Sequence, residues 1–408
     1  MTTATIPSHV PDYLVRDIDV YNIPGMNNGV TTDDIHQLWK NVQDTCPPVF
    51  WTPHYGGHWV VTRFEDLRRV ASEYENFSNA EMFVPQGIVP MLTPTQLDPP
   101  EHSAYRRLLT PAFTPGRLRA ITEEARAAVV AAIEGVYHRG GCEFVTEISG
   151  AMPTAAFLTL VDLPVQDGER LRRAFERAPA MDNPEESRAA WAEISAYVQQ
   201  QIDERIARPR EDFISSLIRS EVDGRRLRTD EVFSMCLLLL SASLDTTASL
   251  TTFVARFLAE HPAHRAELID NPEFLNHAVE EFCRRFGLTQ TARLVRHDVE
   301  LNGAPLREGD IALAIFAVGG LDETVNANPM VVDFARLDHH YVTFGHGPHS
   351  CVGMRLAKLE LKIFLEEWLK RIPDFRVADG AEVRASTGVL SRLNQLDLQW
   401  ATTGFDNR

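Results

Sequence analysis

The sequence predicts a mainly α-helical chain with small β-sheets, folded as one large domain over residues 1–408. Three observations carry this. A largely apolar segment from Thr229 to Glu260 runs unbroken between helix start and stop signals. An alanine- and glutamate-rich texture sets in near Arg117. Glycine and proline are scattered as turn punctuation, without a linker, a long-period repeat or an alternating strand–helix pattern.

In chain order, the first third reads as short strands mixed with loops. His58 to Thr62 is a strand after the Gly56-Gly57 turn. Ile121 to Val136 carries apolar residues at helical spacing and stops at Gly140-Gly141. Glu186 to Arg205 repeats the pattern. For Thr229 to Glu260, Thr229-Asp230-Glu231 supplies a cap and early negative charge, and His261-Pro262 ends the helix. About 30 residues at a rise of 1.5 Å reach roughly 45 Å, enough to cross a domain. Its middle, residues 235–246, is apolar on nearly every face and is expected to be buried all round. A helix is expected over Pro272 to Phe286, then strands around Arg293-Leu294-Val295 and Asp310 to Leu313. A last helix covers Met354 to Arg371, and Val383 to Trp400 reads as short strands and turns.

The 408 residues carry 40 Lys and Arg against 57 Asp and Glu, a net charge of −17. Long-range attraction for nucleic acid or an anionic membrane is therefore not expected. Cys46, Cys142, Cys236, Cys283 and Cys351 are widely spaced, odd in number and without a CxxC pair. That excludes a disulfide scaffold and a zinc ribbon and fits a reducing cytoplasm. No signal peptide is read at the start. The run Met235 to Leu240 is far shorter than the roughly 20 apolar residues of a membrane span, so it belongs to a core helix.

The most informative stretch is Phe344-Gly345-His346-Gly347-Pro348-His349-Ser350-Cys351-Val352-Gly353. A lone cysteine sits among glycines just before a helix, where backbone amides stabilise a thiolate. Such a thiolate, with no second cysteine in the loop, suits a metal whose other sites a cofactor fills. Taken alone, a glycine-flanked cysteine is more often a small core residue. The full pattern F-G-x-G-x-H-x-C-x-G resembles the haem-binding signature of the cytochrome P-450 superfamily at every defined position.

Other segments carry the same likeness. Glu281-Phe282-Cys283-Arg284 is similar to the family's E-x-x-R, whose role is structural: Glu281 and Arg284 share a helix face. Ala242-Ser243-Leu244-Asp245-Thr246-Thr247 resembles the oxygen-activation motif, with Ser243 where the family has glycine. The resemblance assigns proton delivery to Asp245 and Thr246. The bland alternative is an ion-paired Asp245 and threonines bonded back to carbonyls one turn earlier. Asp98-Pro99-Pro100-Glu101-His102-Ser103-Ala104-Tyr105-Arg106-Arg107 resembles the segment whose His and Arg bind a haem propionate. His102 and Arg106 match that pair, and Arg293 and His349 match two further propionate ligands.

Within the superfamily the likeness is greatest to the bacterial camphor-hydroxylase family. It runs through Gly56-Gly57-His58-Trp59, Pro329-Met330-Val331-Val332-Asp333-Phe334 and Arg371-Ile372-Pro373-Asp374-Phe375. The tyrosine that holds camphor has no counterpart in residues 83–97. The substrate wall implied by the resemblance is Phe83, Val84, Leu238, Ala242, Thr289, Val389 and Leu390. Being mostly apolar, it favours a small hydrophobic compound such as a terpenoid or norisoprenoid ketone.

The resemblance thus implies the cytochrome P-450 fold and a soluble, cytoplasmic, bacterial haem-thiolate monooxygenase. Haem b (iron protoporphyrin IX) would be bound through Cys351. O2 is the oxidant. A [2Fe-2S] ferredoxin, reduced by an NADH-dependent ferredoxin reductase, is the expected electron source, because no fused reductase is read. Arg106, Arg107 and Arg355 are the candidate docking cations, and a monomer is expected. Two other readings stay open here: a peroxide-driven haem-thiolate peroxygenase, and a haem-based binding or sensing protein without turnover.

Overall fold

The computed structural model describes residues 4–87, 91–177 and 184–402. The helices are α1 (Ile35–Thr45), α2 (Phe64–Ser72), α3 (Glu101–Leu109), α4 (Pro115–Tyr137), α5 (Ala151–Leu160) and α6 (Gly168–Arg177). They continue as α7 (Pro184–Ala207), α8 (Phe213–Arg219), α9 (Thr229–Glu260), α10 (Pro262–Asp270), α11 (Leu275–Arg285) and α12 (Met354–Arg371). The sheets are small, as the sequence predicts. The largest has five strands in the order Val49–Thr52, His58–Val61, Ile311–Ala314, Thr291–Val295 and Phe77–Ser78.

That sheet fixes one functional side chain directly. Ile311–Ala314 pairs parallel with His58–Val61 and antiparallel with Thr291–Val295, which sets Ala312 between Trp59 and Arg293. Every residue of His58–Val61 and Ile311–Ala314 is buried. The small Ala312 and Ala314 pack with Trp59, Leu67 of α2 and Phe77 in one apolar cluster, while a larger one joins the helices around α9.

α9 packs against α5, α7, α8, α10 and α12, so it threads the helical layer. It is long and apolar enough to cross a membrane by composition, yet half of its most apolar window is buried inside the protein, as a core helix requires. Its ends follow the sequence, but its cap does not. Arg228 is the N-cap residue, and the Glu231 carboxylate accepts from the Arg228 N–H at 2.7 Å.

Three further expectations are corrected. The first third contains α1, α2 and α3 and is not merely strand and loop. α1 is capped by the Asp34 carboxylate, which accepts from the His36 N–H at 2.9 Å, and it buries Ile35, Leu38, Trp39 and Val42. The helix over Pro272 to Phe286 divides into a 3-10 turn at Pro272–Phe274 and α11. The middle of α9 is not buried all round: Ala242 is exposed, and Leu238, Asp245 and Thr246 are only half-buried.

The E-x-x-R pair holds the layers together. Glu281 and Arg284 are both fully buried and meet through two 2.7 Å hydrogen bonds. Arg284 also donates to the carbonyls of Gly320, Pro329 and Val331, and Glu281 accepts from the Asp333 N–H and Arg336. Gly320 lies so close that a Cβ there would stand 2.0 Å from the Arg284 carbonyl oxygen. The pair therefore ties α11 to the segment leading into the cysteine loop, and it is not a solvated surface pair.

Candidate active site

The cysteine loop is built by its glycines. Gly345 and Gly347 sit at φ +69° and +68°, a region closed to most side chains. A Cβ on Gly347 would also come within 2.8 Å of the Ser72 Cα, so glycine lets the loop lie on the end of α2. The Cys351 N–H closes the loop on the Phe344 carbonyl at 2.8 Å. Cys351 is exposed, whereas Cys142, Cys236 and Cys283 are buried. Protein atoms packed around the loop still desolvate the sulfur and push its thiol pKa up, while the Gly353 and Met354 amides and the Arg106 guanidinium pull it down. Those amides open α12, so the helix N-terminus faces the sulfur.

Around this loop gather four side chains from three distant parts of the chain. The His102 ring of α3 and the His349 ring lie 4.0 Å apart by centroid. Arg106, one turn beyond His102, donates to the Ser350 carbonyl at 2.5 Å. Arg293 comes from the central sheet and is 4 % exposed. Burial, with the neighbouring cations, depresses the His102 pKa to about 4 and the His349 pKa to about 3. Burial lowers Arg293 to about 10, opposed by Asp98.

The hydrogen-bond inventory of this cluster is incomplete in one direction. His102 Nδ1, His349 Nδ1 and Nε2, and Arg293 Nε are buried without a protein partner. Buried polar atoms of a folded protein normally have partners, so four orphaned nitrogens in one place, among them the N–H groups of two neutral imidazoles and of Arg293, call for a polar partner from outside the chain. The donors are cationic or neutral and converge beside a thiol, which suits a flat cofactor carrying carboxylates and a thiolate-seeking metal. The residues present thus fit haem.

On α9, the Thr246 hydroxyl donates to the Ala242 carbonyl at 2.9 Å, and Ser243 donates to the Leu239 carbonyl at 2.6 Å. Both bond back one turn, as the bland alternative describes. Asp245 does not follow it: no cation lies within ion-pair distance among the described residues. Burial pushes its carboxyl up, and only the more distant charge of Arg392 opposes this. A second carboxyl, not singled out from the sequence, meets α9 at Thr247. Glu360 of α12 is 3 % exposed and bonds Thr247, and burial pushes its pKa up to about 8. Its flanking residues, Leu359 and Leu361, are apolar on both sides, the one signal that marks it out in the sequence.

Backbone pairings gather most of the expected substrate wall. The Ala292 N–H donates to the Met82 carbonyl at 2.8 Å, beside Phe83. Thr289 forms a β-bridge with Leu390, and the Gln290 N–H donates to the Val389 carbonyl at 3.1 Å. Tyr21 joins both sides: its hydroxyl donates to the Val84 carbonyl, and its ring lies against Gly388. Phe83, Leu238, Thr289, Val389 and Leu390 are half-buried, and Ala242 is exposed. Val84 differs, at 4 % exposed, because its side chain packs into the helical core. Residues 88–90, within the stretch 83–97 that lacks a tyrosine, lie outside the described residues. Of the candidate docking cations, Arg107 and Arg355 are exposed, whereas Arg106 is turned inward onto Ser350.

Comparison with known proteins agrees with this geometry. A probable cytochrome P450 127A1 of Sinorhizobium fredii is 32 % identical over 407 residues, spanning 98 % of both chains. The chain belongs to the cytochrome P450 family. The P450 family model itself matches residues 184–378. Among solved structures, this P450 superposes on CYP101J2 with a TM-score of 0.88 at 34 % identity, covering 98 % of this chain and 100 % of that one. CYP101C1 gives 0.88 at 31 %, covering 97 % and 100 %. Both agree with the likeness to the camphor-hydroxylase family. Nocardicin C N-oxygenase of Nocardia uniformis is 32 % identical over 85 % of this chain and 90 % of its own. The P450 is accordingly a monooxygenase whose cofactor is haem b bound through a thiolate.

Proposed function

We propose that this P450 hydroxylates an unactivated C–H bond of a small hydrophobic substrate, a terpenoid or norisoprenoid ketone. Two observations support this: the half-open apolar stripe of α9, Leu238 and Ala242, running into Asp245 and Thr246, and the mutual pairing of segments 82–84, 289–292 and 389–390. An apolar compartment with few polar anchors suits such a compound.

The overall reaction takes the substrate, O2, two electrons and two protons to the alcohol and water. Haem, when bound through Cys351, supplies the dioxygen chemistry. The chain's own contribution is to hold the cofactor, exclude water and manage protons. His102, Arg106, Arg293 and His349 would meet its propionates. Asp245, whose carboxyl burial pushes above the usual carboxylate range, stands beside Thr246 as the group that takes up and passes on a proton. Thr246 offers its own proton only by turning from the Ala242 carbonyl. Ser243 adds a hydroxyl where a glycine would leave the α9 groove open. Electrons come from a [2Fe-2S] ferredoxin and its NADH-dependent reductase, docking over Arg107 and Arg355, and the enzyme works as a cytoplasmic monomer.

Thr246→Ala is the test, with Thr246→Ser as control. Alcohol formed per NADH should drop at least several-fold in the alanine variant while NADH use continues, and serine should restore it. Unchanged coupling would remove Thr246 from proton delivery. Faster turnover with peroxide alone than with any ferredoxin would make the enzyme a peroxygenase. An absence of product from both routes would leave a haem-binding protein.

A further inference from the structure

The stretch that follows the wall residues Phe83 and Val84 is tied to α9 at Ser234. The Ser234 hydroxyl donates to the Met91 carbonyl at 2.9 Å and accepts from the Thr93 N–H at 2.8 Å. One hydroxyl thereby uses its donor and one acceptor on the same short stretch, which is a clamp rather than a passing contact. Thr93 is 8 % exposed, so its N–H has no water to fall back on if the serine oxygen is removed.

The stretch beyond the clamp is stiffened by its own bonds. Gln96 accepts from the Leu92 N–H through its side chain at 2.8 Å, and its backbone N–H returns to the Leu92 carbonyl at 3.0 Å. Asn79 donates to the Thr95 carbonyl at 2.9 Å. Leu92 and Leu97 pack on the helical core. Residues 91–97 therefore move as a unit, with Ser234 their hydrogen-bonded attachment to α9 among the described residues. Ser234 stands one turn before Leu238 and two before Ala242, the exposed stripe of that helix. Tyr21 holds the other end of the wall at Val84.

We propose that Ser234 is a specificity-determining positioning residue, whose hydroxyl sets how closely the 91–97 segment approaches α9 and so the size of ligand the compartment admits. This rests on the monooxygenase reading only in taking that compartment as the substrate site.

The test compares Ser234→Ala and Ser234→Thr with the wild-type holoenzyme. Amide exchange over residues 91–97 reads the clamp itself. Imidazole and 4-phenylimidazole, a small and a bulky ligand for the haem iron, read the compartment. In the alanine variant, exchange should quicken roughly tenfold, the effect of losing two ordinary hydrogen bonds. The dissociation constant of 4-phenylimidazole should fall about fivefold or more relative to that of imidazole. Threonine, which keeps the hydroxyl, should retain wild-type values in both. If Ser234→Ala does not fold, Ser234→Cys, a weak hydrogen-bonding group of similar size, carries the same comparison. Unchanged exchange overturns the clamp. Faster exchange with an unchanged ligand ratio overturns its role in specificity. The carbon monoxide spectrum of the reduced wild type is taken alongside. A non-thiolate band there refutes the monooxygenase reading while the exchange measurement still decides the clamp.

Discussion

Replacing Glu360 by glutamine should stabilise this enzyme at neutral pH. Glu360 is 3 % exposed and bonds Thr247, and burial lifts its pKa from 4.5 to about 8. Between those two values the unfolded chain has released the proton and the folded chain still holds it. Stability from this group is thus undiminished below about pH 4.5, falls as pH rises toward 8, and levels off above. Each pH unit in the window costs about 1.36 kcal/mol. At pH 7 the cost is ~3 kcal/mol, and at pH 5 it is under ~1 kcal/mol. Glutamine keeps the carbonyl that meets Thr247 and carries no titrating proton, so the variant escapes the cost. With an unfolding entropy of about 2.1 cal/mol/K per residue, ~3 kcal/mol raises Tm by roughly 3–4 °C in a chain of this length. The assay is thermal unfolding of haem-loaded wild type and Glu360→Gln at several values between pH 5 and pH 8. The gap should widen steadily with pH. A gap that is constant with pH, or that narrows, would refute a protonated Glu360 in the folded enzyme.

Other substitutions test the frame, the cofactor cradle and the docking face. Arg284→Leu leaves Glu281 charged in the core and should cost about 3–5 kcal/mol, read as a collapse of soluble haem-loaded protein; a normal yield would deny the pair its structural role. His349→Leu removes two ring nitrogens with no protein partner and should speed haem transfer to apomyoglobin roughly tenfold or more, with the carbon monoxide band unmoved. An unchanged rate would place the propionates elsewhere. Arg107→Glu should slow ferredoxin-driven reduction at low salt, less so at 0.15 M where screening over about 8 Å weakens the contact, and leave imidazole binding intact. Equal reduction rates would remove Arg107 from docking.

The ease of reading each part of this chain from sequence follows from how locally its determinants act. α9 and α12 announce themselves because long apolar periodicity meets clear stop signals at His261-Pro262 and Ile372-Pro373. α1 and α2 carry the same spacing, at Ile35, Leu38, Trp39 and Val42 and at Phe64, Leu67, Val70 and Ala71. Polar and aromatic residues between them dilute the pattern, and burial of their one apolar face supplies the missing stability. The cysteine loop and its cationic neighbours were legible as a family pattern. Their convergence, with His102 against His349 and Arg293 fixed by the register opposite Ala312, is a property of the fold alone. The open stripe at Leu238 and Ala242 illustrates the limit. An apolar face that lines a compartment and one that packs on a neighbour have the same composition, so the sequence reads both as buried. Glu360 and Ser234 are hidden for a similar reason. Beyond the apolar flanks of Glu360, a single polar residue on an amphipathic helix does not say what faces it.

The most direct measurement of the central claim is the visible spectrum of the reduced protein under carbon monoxide, for the wild type and for Cys351→Ser. Cys351 is the exposed cysteine among four others that are buried or half-buried. The wild type should give the strongly red-shifted Soret band of thiolate-ligated haem, and Cys351→Ser should lose it. A wild-type band at the position of histidine-ligated haem, or a red-shifted band that survives in Cys351→Ser, would contradict the assignment of Cys351 and the site built around it.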